Sequence, residues 1–145
     1  MSTRCQILVE GASASVYRHS DGYPDGPHGV IKALKKIVKN FMKHRGFDPE
    51  YMTAHIVSGM IAANKRNLSS MQRKNPGNVK NYEQLKCTGF GIRGYNGDSD
   101  VNFEGDIEYV YFIKENRTIE VRTPFGGSSS GFSLKNTSVS KIVKF

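Results

Sequence analysis

The chain has 145 residues, 37% of them hydrophobic, which suffices for one core and excludes a modular enzyme with a separate catalytic lobe. Its 21 Lys plus Arg against 13 Asp plus Glu give a formal charge of +8, favouring anionic partners such as nucleic acid, nucleotides or acidic surfaces. No apolar run reaches the roughly 18–20 residues of a spanning helix, and the start Met-Ser-Thr-Arg-Cys-Gln lacks the features of an export signal. A cytoplasmic protein with no membrane partner is expected.

Residues 4–9 read as a strand with Cys5, Ile7 and Val9 on one face, although Leu8 makes the other face partly apolar. After Gly11-Ala12, residues 13–18 are extended and return as a hairpin. Residues 19–29 hold three Gly, two Pro, two Asp and two His, a composition that makes a shaped loop. Val30, Ile31, Leu34, Ile37, Val38, Phe41 and Met42 then recur at helical spacing with lysines between them, so an amphipathic helix follows the loop. Gly46 stops it. Asp48 is the expected N-cap of a second helix, with Pro49 at its first position, running to about Ala63 with Met52, Ile56, Val57, Met60 and Ile61 on its apolar side.

Residues 64–81 carry few apolar side chains and are expected to be a long, flexible, exposed connection with a turn at Pro76-Gly77. A strand interrupted by glycine follows at 88–93. The strongest β signal is at 106–113, where Ile107, Tyr109, Tyr111 and Ile113 alternate with Glu108, Val110 and Phe112, and it pairs with 118–122 as a hairpin. Residues 126–131, Gly-Gly-Ser-Ser-Ser-Gly, read as a second flexible loop, and 139–145 as an edge strand or short helix. The expectation is a single α+β domain over 1–145: an antiparallel or mixed sheet of five to six strands, with two amphipathic helices on one face.

The positive charge is local. Residues 1–75 hold 12 basic and 5 acidic groups, 12 − 5 = +7, whereas residues 76–145 hold 9 and 8, 9 − 8 = +1. Asp98, Asp100, Glu104, Asp106 and Glu108 form an acidic run that either screens the basic helix or faces it across an oligomer interface.

The segment 17–29 gathers Tyr17, Arg18, His19, Asp21, Tyr23 and His28 between a strand and a basic helix. Tyr17 and His19 share one strand face, so Arg18 points to the other. A helix beginning near Pro27 offers free backbone N–H groups to an anion, with His28, Arg18, Lys32 and Lys36 adding side chains. The competing reading is a loop whose main work is folding: Asp21-Gly22 and Asp25-Gly26 are turn formers, and Asp25 is a candidate cap for the helix. Tyr109, Tyr111, Phe112, Phe90 and Tyr95 are candidates to stack a base, with Arg93 or Arg122 on its phosphate, and equally candidates for plain core.

Signatures of catalysis are sparse. There is no HExxH, paired CxxC, Walker A loop, Rossmann fingerprint or GxSxG, and Gly89-Phe-Gly-Ile-Arg-Gly94 is a loose glycine pattern. Cys5 and Cys87 have no close Cys or His, against a zinc knuckle or a disulfide framework. No cofactor or metal is expected.

Residues 16–24, Val-Tyr-Arg-His-Ser-Asp-Gly-Tyr-Pro, resemble the leading motif of a group of small uncharacterised bacterial and phage proteins, and Asp106-Ile-Glu-Tyr-Val-Tyr111 resembles that group's later motif. The resemblance implies that the two segments meet in the fold, and a phage or mobile-element context. From the residues, the leading reading is a binding protein for a phosphate-bearing ligand, a nucleotide or nucleic-acid backbone. The alternatives are a small phosphodiesterase or nuclease using His19 and Asp21, and a protein-binding factor, for which the resemblance implies a host-interaction role, with homo-oligomers allowed in each case.

Overall fold

The structure is a computed structural model that describes residues 3–97, 102–125 and 131–145. Strands β1 (Cys5–Val9) and β2 (Ala14–Arg18) form a hairpin, followed by helices α1 (Val30–His44), α2 (Pro49–Lys74) and α3 (Val79–Thr88). Strands β3 (Phe90–Gly94), β4 (Tyr109–Lys114), β5 (Thr118–Pro124) and β6 (Thr137–Lys144) complete one sheet in the order β3-β2-β1-β4-β5-β6. β1 and β4 run parallel, because the chain between them crosses over through the helices, while the other neighbours pair antiparallel. This is an α+β fold with a mixed six-stranded sheet and three helices packed on one side.

Alternation along the strands assigns each residue a face. Cys5, Ile7, Val9, Val16, Tyr111, Ile113, Ile119 and Val121 point to the helices and bury against Val30, Leu34, Val38 and Phe41 of α1 and Met52, Ile56 and Met60 of α2. Leu8 and Val110 point the other way and are covered by Phe103, Ile107 and Phe132 from the long loops. The central strands are therefore buried on both faces, which is why Leu8 breaks the polar alternation.

The start of α2 follows its sequence cues: the Asp48 side chain accepts the Tyr51 N–H, and Pro49 sits in the first turn. Gly59 keeps α2 close to α1, since a Cβ there would lie 2.7 Å from Ile37 Cδ1. The C-terminal end of α2 corrects the expected exposed connection: residues 64–74 continue the helix, a 3₁₀ turn spans Pro76–Asn78, and α3 is a third helix packed on α2. The stripe Met52, Ile56, Met60 keeps its four-residue step through Asn64 to Leu68, so one buried leucine carries the apolar face onward. Pro76 then forces Asn75 out of helical geometry. Residues 126–130 of the Gly-Ser stretch lie outside the described residues.

The two motif segments do meet. β2 and β4 flank β1, and the Tyr111 hydroxyl donates to the Gly22 carbonyl at 2.7 Å. Among the described residues, no helix is long and apolar enough to cross a membrane.

Candidate anion site between the helices

The loop before α1 is first of all a folding device. Its Gly22 N–H donates to the Thr3 carbonyl at 2.9 Å, and a Cβ on Gly22 would strike Cys5 Cβ at 2.8 Å. Asp21 takes a positive φ of 56°, which an Asp tolerates in a turn. The N–H groups of Gly29, Val30 and Ile31 donate to the carbonyls of Gly26, Tyr23 and Pro24 at 3.1, 2.9 and 3.2 Å. This corrects the expectation of a helix start open to an anion. The helix begins at Val30 rather than near Pro27, and its leading N–H groups are already capped by the loop. Asp25 does not cap it and pairs instead with Lys141 at 2.9 Å.

The sheet divides the side chains that the sequence placed together. Tyr17, His19 and Arg93 lie on the face away from the helices, Asp21 and Tyr23 stay with the turn, and Arg18, His28, Lys32 and Lys36 lie on the helical side. Arg18 is only 4% exposed, held by its Nε–H to the Ser20 carbonyl at 2.8 Å and by Phe90, whose ring centroid is 5.3 Å from its guanidinium carbon. No carboxylate pairs with Arg18 among the described residues. Its neutral neighbours supply no charge either. Burial pushes the Cys5 thiol up to about 12, against the opposing pull of Arg18, and pushes the Tyr111 phenol upward too, so both remain protonated at neutral pH.

Arg18 opens into a recess of about 170 Å³ that it shares with His28, Lys32, Asn64, Arg66 and Asn67. Arg66 also lines a larger groove of about 520 Å³ between α1 and α2, where Lys36, Asn40, His44, Arg45 and His55 stand around an apolar floor including Ile37 and Phe41. On its other side Arg66 joins Lys65, Ser69 and Arg73 around a third depression of about 340 Å³. Among the described residues, no acidic side chain lines any of the three. The charge count over residues 30–74 explains this: 10 basic and 2 acidic groups give 10 − 2 = +8, while the rest of the chain holds 11 of each. The α1–α2 hairpin thus carries the whole net charge.

The opposite face is arranged differently. Arg4 pairs with Asp106 at 3.0 Å, Arg93 with Glu104 at 2.7 Å, and Glu120 with Arg122 at 2.8 Å and Lys114 at 3.7 Å. Glu104 and Asp106 are therefore engaged away from the basic helices and do not screen them, while Asp98 and Asp100 lie outside the described residues. The Arg93 guanidinium also stacks on Tyr17, 4.5 Å from its ring centroid. His19 Nδ1 lies 2.9 Å from the Tyr17 hydroxyl and 3.4 Å from Arg4 Nε. Because a guanidinium can only donate, Nδ1 is the acceptor and the ring proton is on Nε2. No hydrogen bond joins His19 to Asp21, and no group of three or more metal-ligating side chains forms among the described residues. Of the aromatics proposed to stack a base, Tyr111 is fully buried and Phe90 lies under Arg18.

Asn64, Arg66 and Asn67, together with His44, Arg45 and His55, escaped sequence reasoning as site residues. The missed signal is a step of three or four along α2: His55, Ser58, Ala62 and Arg66 share one helical face. No protein-family model, no curated protein and no solved structure matches this chain.

Proposed function

We propose that the protein recognises phosphate-bearing anions, as a nucleotide or a nucleic-acid backbone, in the recess of Arg18, His28, Lys32 and Arg66. The observation that carries this reading is Arg18: a guanidinium 4% exposed, at an opening lined by further cations, with no carboxylate partner and no acid at the opening among the described residues. Removing a charge from water is expensive unless a counter-charge meets it, and a phosphate supplies that charge on two oxygens that the planar guanidinium fork can engage together. The surrounding +8 layer draws an anion towards the opening.

The test is isothermal titration with inorganic pyrophosphate and with short nucleic acids at two salt concentrations. Binding that weakens steeply with salt, and that drops at least tenfold in Lys32→Glu and in Arg18→Met, is the expected result. No binding of any of these anions at low salt overturns the reading.

A further inference from the structure

The groove beyond the recess differs from a plain phosphate site. Its floor is apolar, made by Ile37 and Phe41 where Gly59 lets the helices approach, and its rim holds imidazoles and amides as well as cations. His55 is exposed, lines the groove and lies with its ring centroid 5.1 Å from that of buried Phe41, the two rings tilted by 49°. At the same end of the helix pair Tyr51 is 54% exposed and carries the Arg45 guanidinium 3.7 Å from its ring centroid. Cations and flat rings thus stand side by side here, and among the described residues Arg45 is the one of these cations that meets a carboxylate, Asp48 at 3.0 Å.

The cationic track is also too long for a single nucleotide. From His55 to Arg73 along α2 it extends about 27 Å at the helical rise of ~1.5 Å per residue. Arg66 lines all three depressions, so they adjoin at that residue. A duplex presents its phosphates on the outside of a stacked rod and hides its base faces. A concave track with an apolar floor and ring-bearing walls instead suits a strand whose bases are free to turn inward.

Resting on the phosphate reading above, we propose that the occupant is a single-stranded nucleic acid, with its phosphates on Arg18, Lys32 and Arg66 and a base on the floor beside His55. Fluorescence anisotropy with a single strand of about a dozen nucleotides, its duplex form and inorganic pyrophosphate as competitor tests this. The single strand is expected to bind at least tenfold tighter than the duplex at equal salt. A fluorescent adenine analogue in the strand is expected to be quenched on binding wild type and left unquenched by H55A, a change that a mere loss of charge would not produce. Arg66→Gln, at an exposed position that leaves the core intact, is expected to weaken the single strand about tenfold. Equal affinity for duplex and single strand, or quenching that survives H55A, overturns this proposal while pyrophosphate competition keeps the phosphate reading standing. Absence of binding by all three probes overturns both.

Discussion

The two faces of the sheet handle charge in opposite ways. On the face away from the helices, Arg4, Arg93, Lys114 and Arg122 each meet a carboxylate, and the aromatic and polar groups are drawn into that network. Among the ten cations of the α1–α2 hairpin, by contrast, the described residues show one ion pair, Arg45–Asp48 at 3.0 Å. Paired charges serve the fold and cost little in self-repulsion. Unpaired ones add repulsion to the native state and give it nothing unless a partner arrives. The two faces thus separate cations that are paired within the fold from cations left largely without a counter-charge among the described residues.

The sharpest way to break that contrast is charge reversal on the helical side. A Lys36→Glu/Arg66→Glu double variant is expected to lose about a hundredfold in affinity for nucleic acid at low salt and about two units of the salt slope. Its melting temperature should stay level or rise, since repulsion within the hairpin is relieved. On the paired face the balance inverts. Arg122→Met leaves Glu120, 8% exposed, with only the longer Lys114 contact, and urea denaturation should show a loss of about 2 kcal/mol while nucleic-acid binding is unchanged.

Alkaline pH provides a smaller effect that locates in the core beneath Arg18. The Cys5 thiol is raised by burial from 9.0 to about 12 in the fold, so it stays protonated there while the unfolded chain ionises. Its stabilising contribution is complete below pH 9 and is lost as pH climbs towards 12. The unfolding free energy read from urea denaturation should fall by about 1 kcal/mol between pH 9 and pH 10, and the fall should be shallower in Cys5→Val. The smallest change is expected for Asp106→Asn. Both members of the Arg4 pair are substantially exposed, and removing it should shift stability by no more than about 0.5 kcal/mol.

Much of this architecture was legible in the residues. The alternation at 4–9, 13–18, 106–113 and 118–122 places the strands, and the spacing from Val30 to Met42 places α1, because a sheet or a helix with one buried face needs that periodicity. The same criterion failed beyond Ala63. α2 continues there with little burial to declare it, held by helix-tolerant polar residues and by packing against α3, which no single-segment pattern reveals. The candidate site was half legible. Arg18, His28 and Lys32 are near neighbours in sequence, and the strand alternation already separated Arg18 from Tyr17 and His19. Arg66 and His55 joined them only through the angle at which α2 lies on α1, a tertiary fact with no local signature. The helix start was misread for a related reason: backbone carbonyls from Tyr23, Pro24 and Gly26 cap it, and carbonyls leave no trace in side-chain composition.

One helix spans two mechanical regimes. The first half of α2 is fastened to the sheet through Met52, Thr53, Ile56 and Met60, whereas Leu68 alone is buried in its last fourteen residues. Opening of the outer half breaks few apolar contacts, so its amides should exchange with solvent through local fraying long before those of the inner half. Arg66 lies past that boundary, at the start of the loosely held part. Any anion that bridges Arg66 to Arg18 ties the fraying segment to the rigid one, and the free energy of capture is then shared between the ligand and the completion of the helix itself.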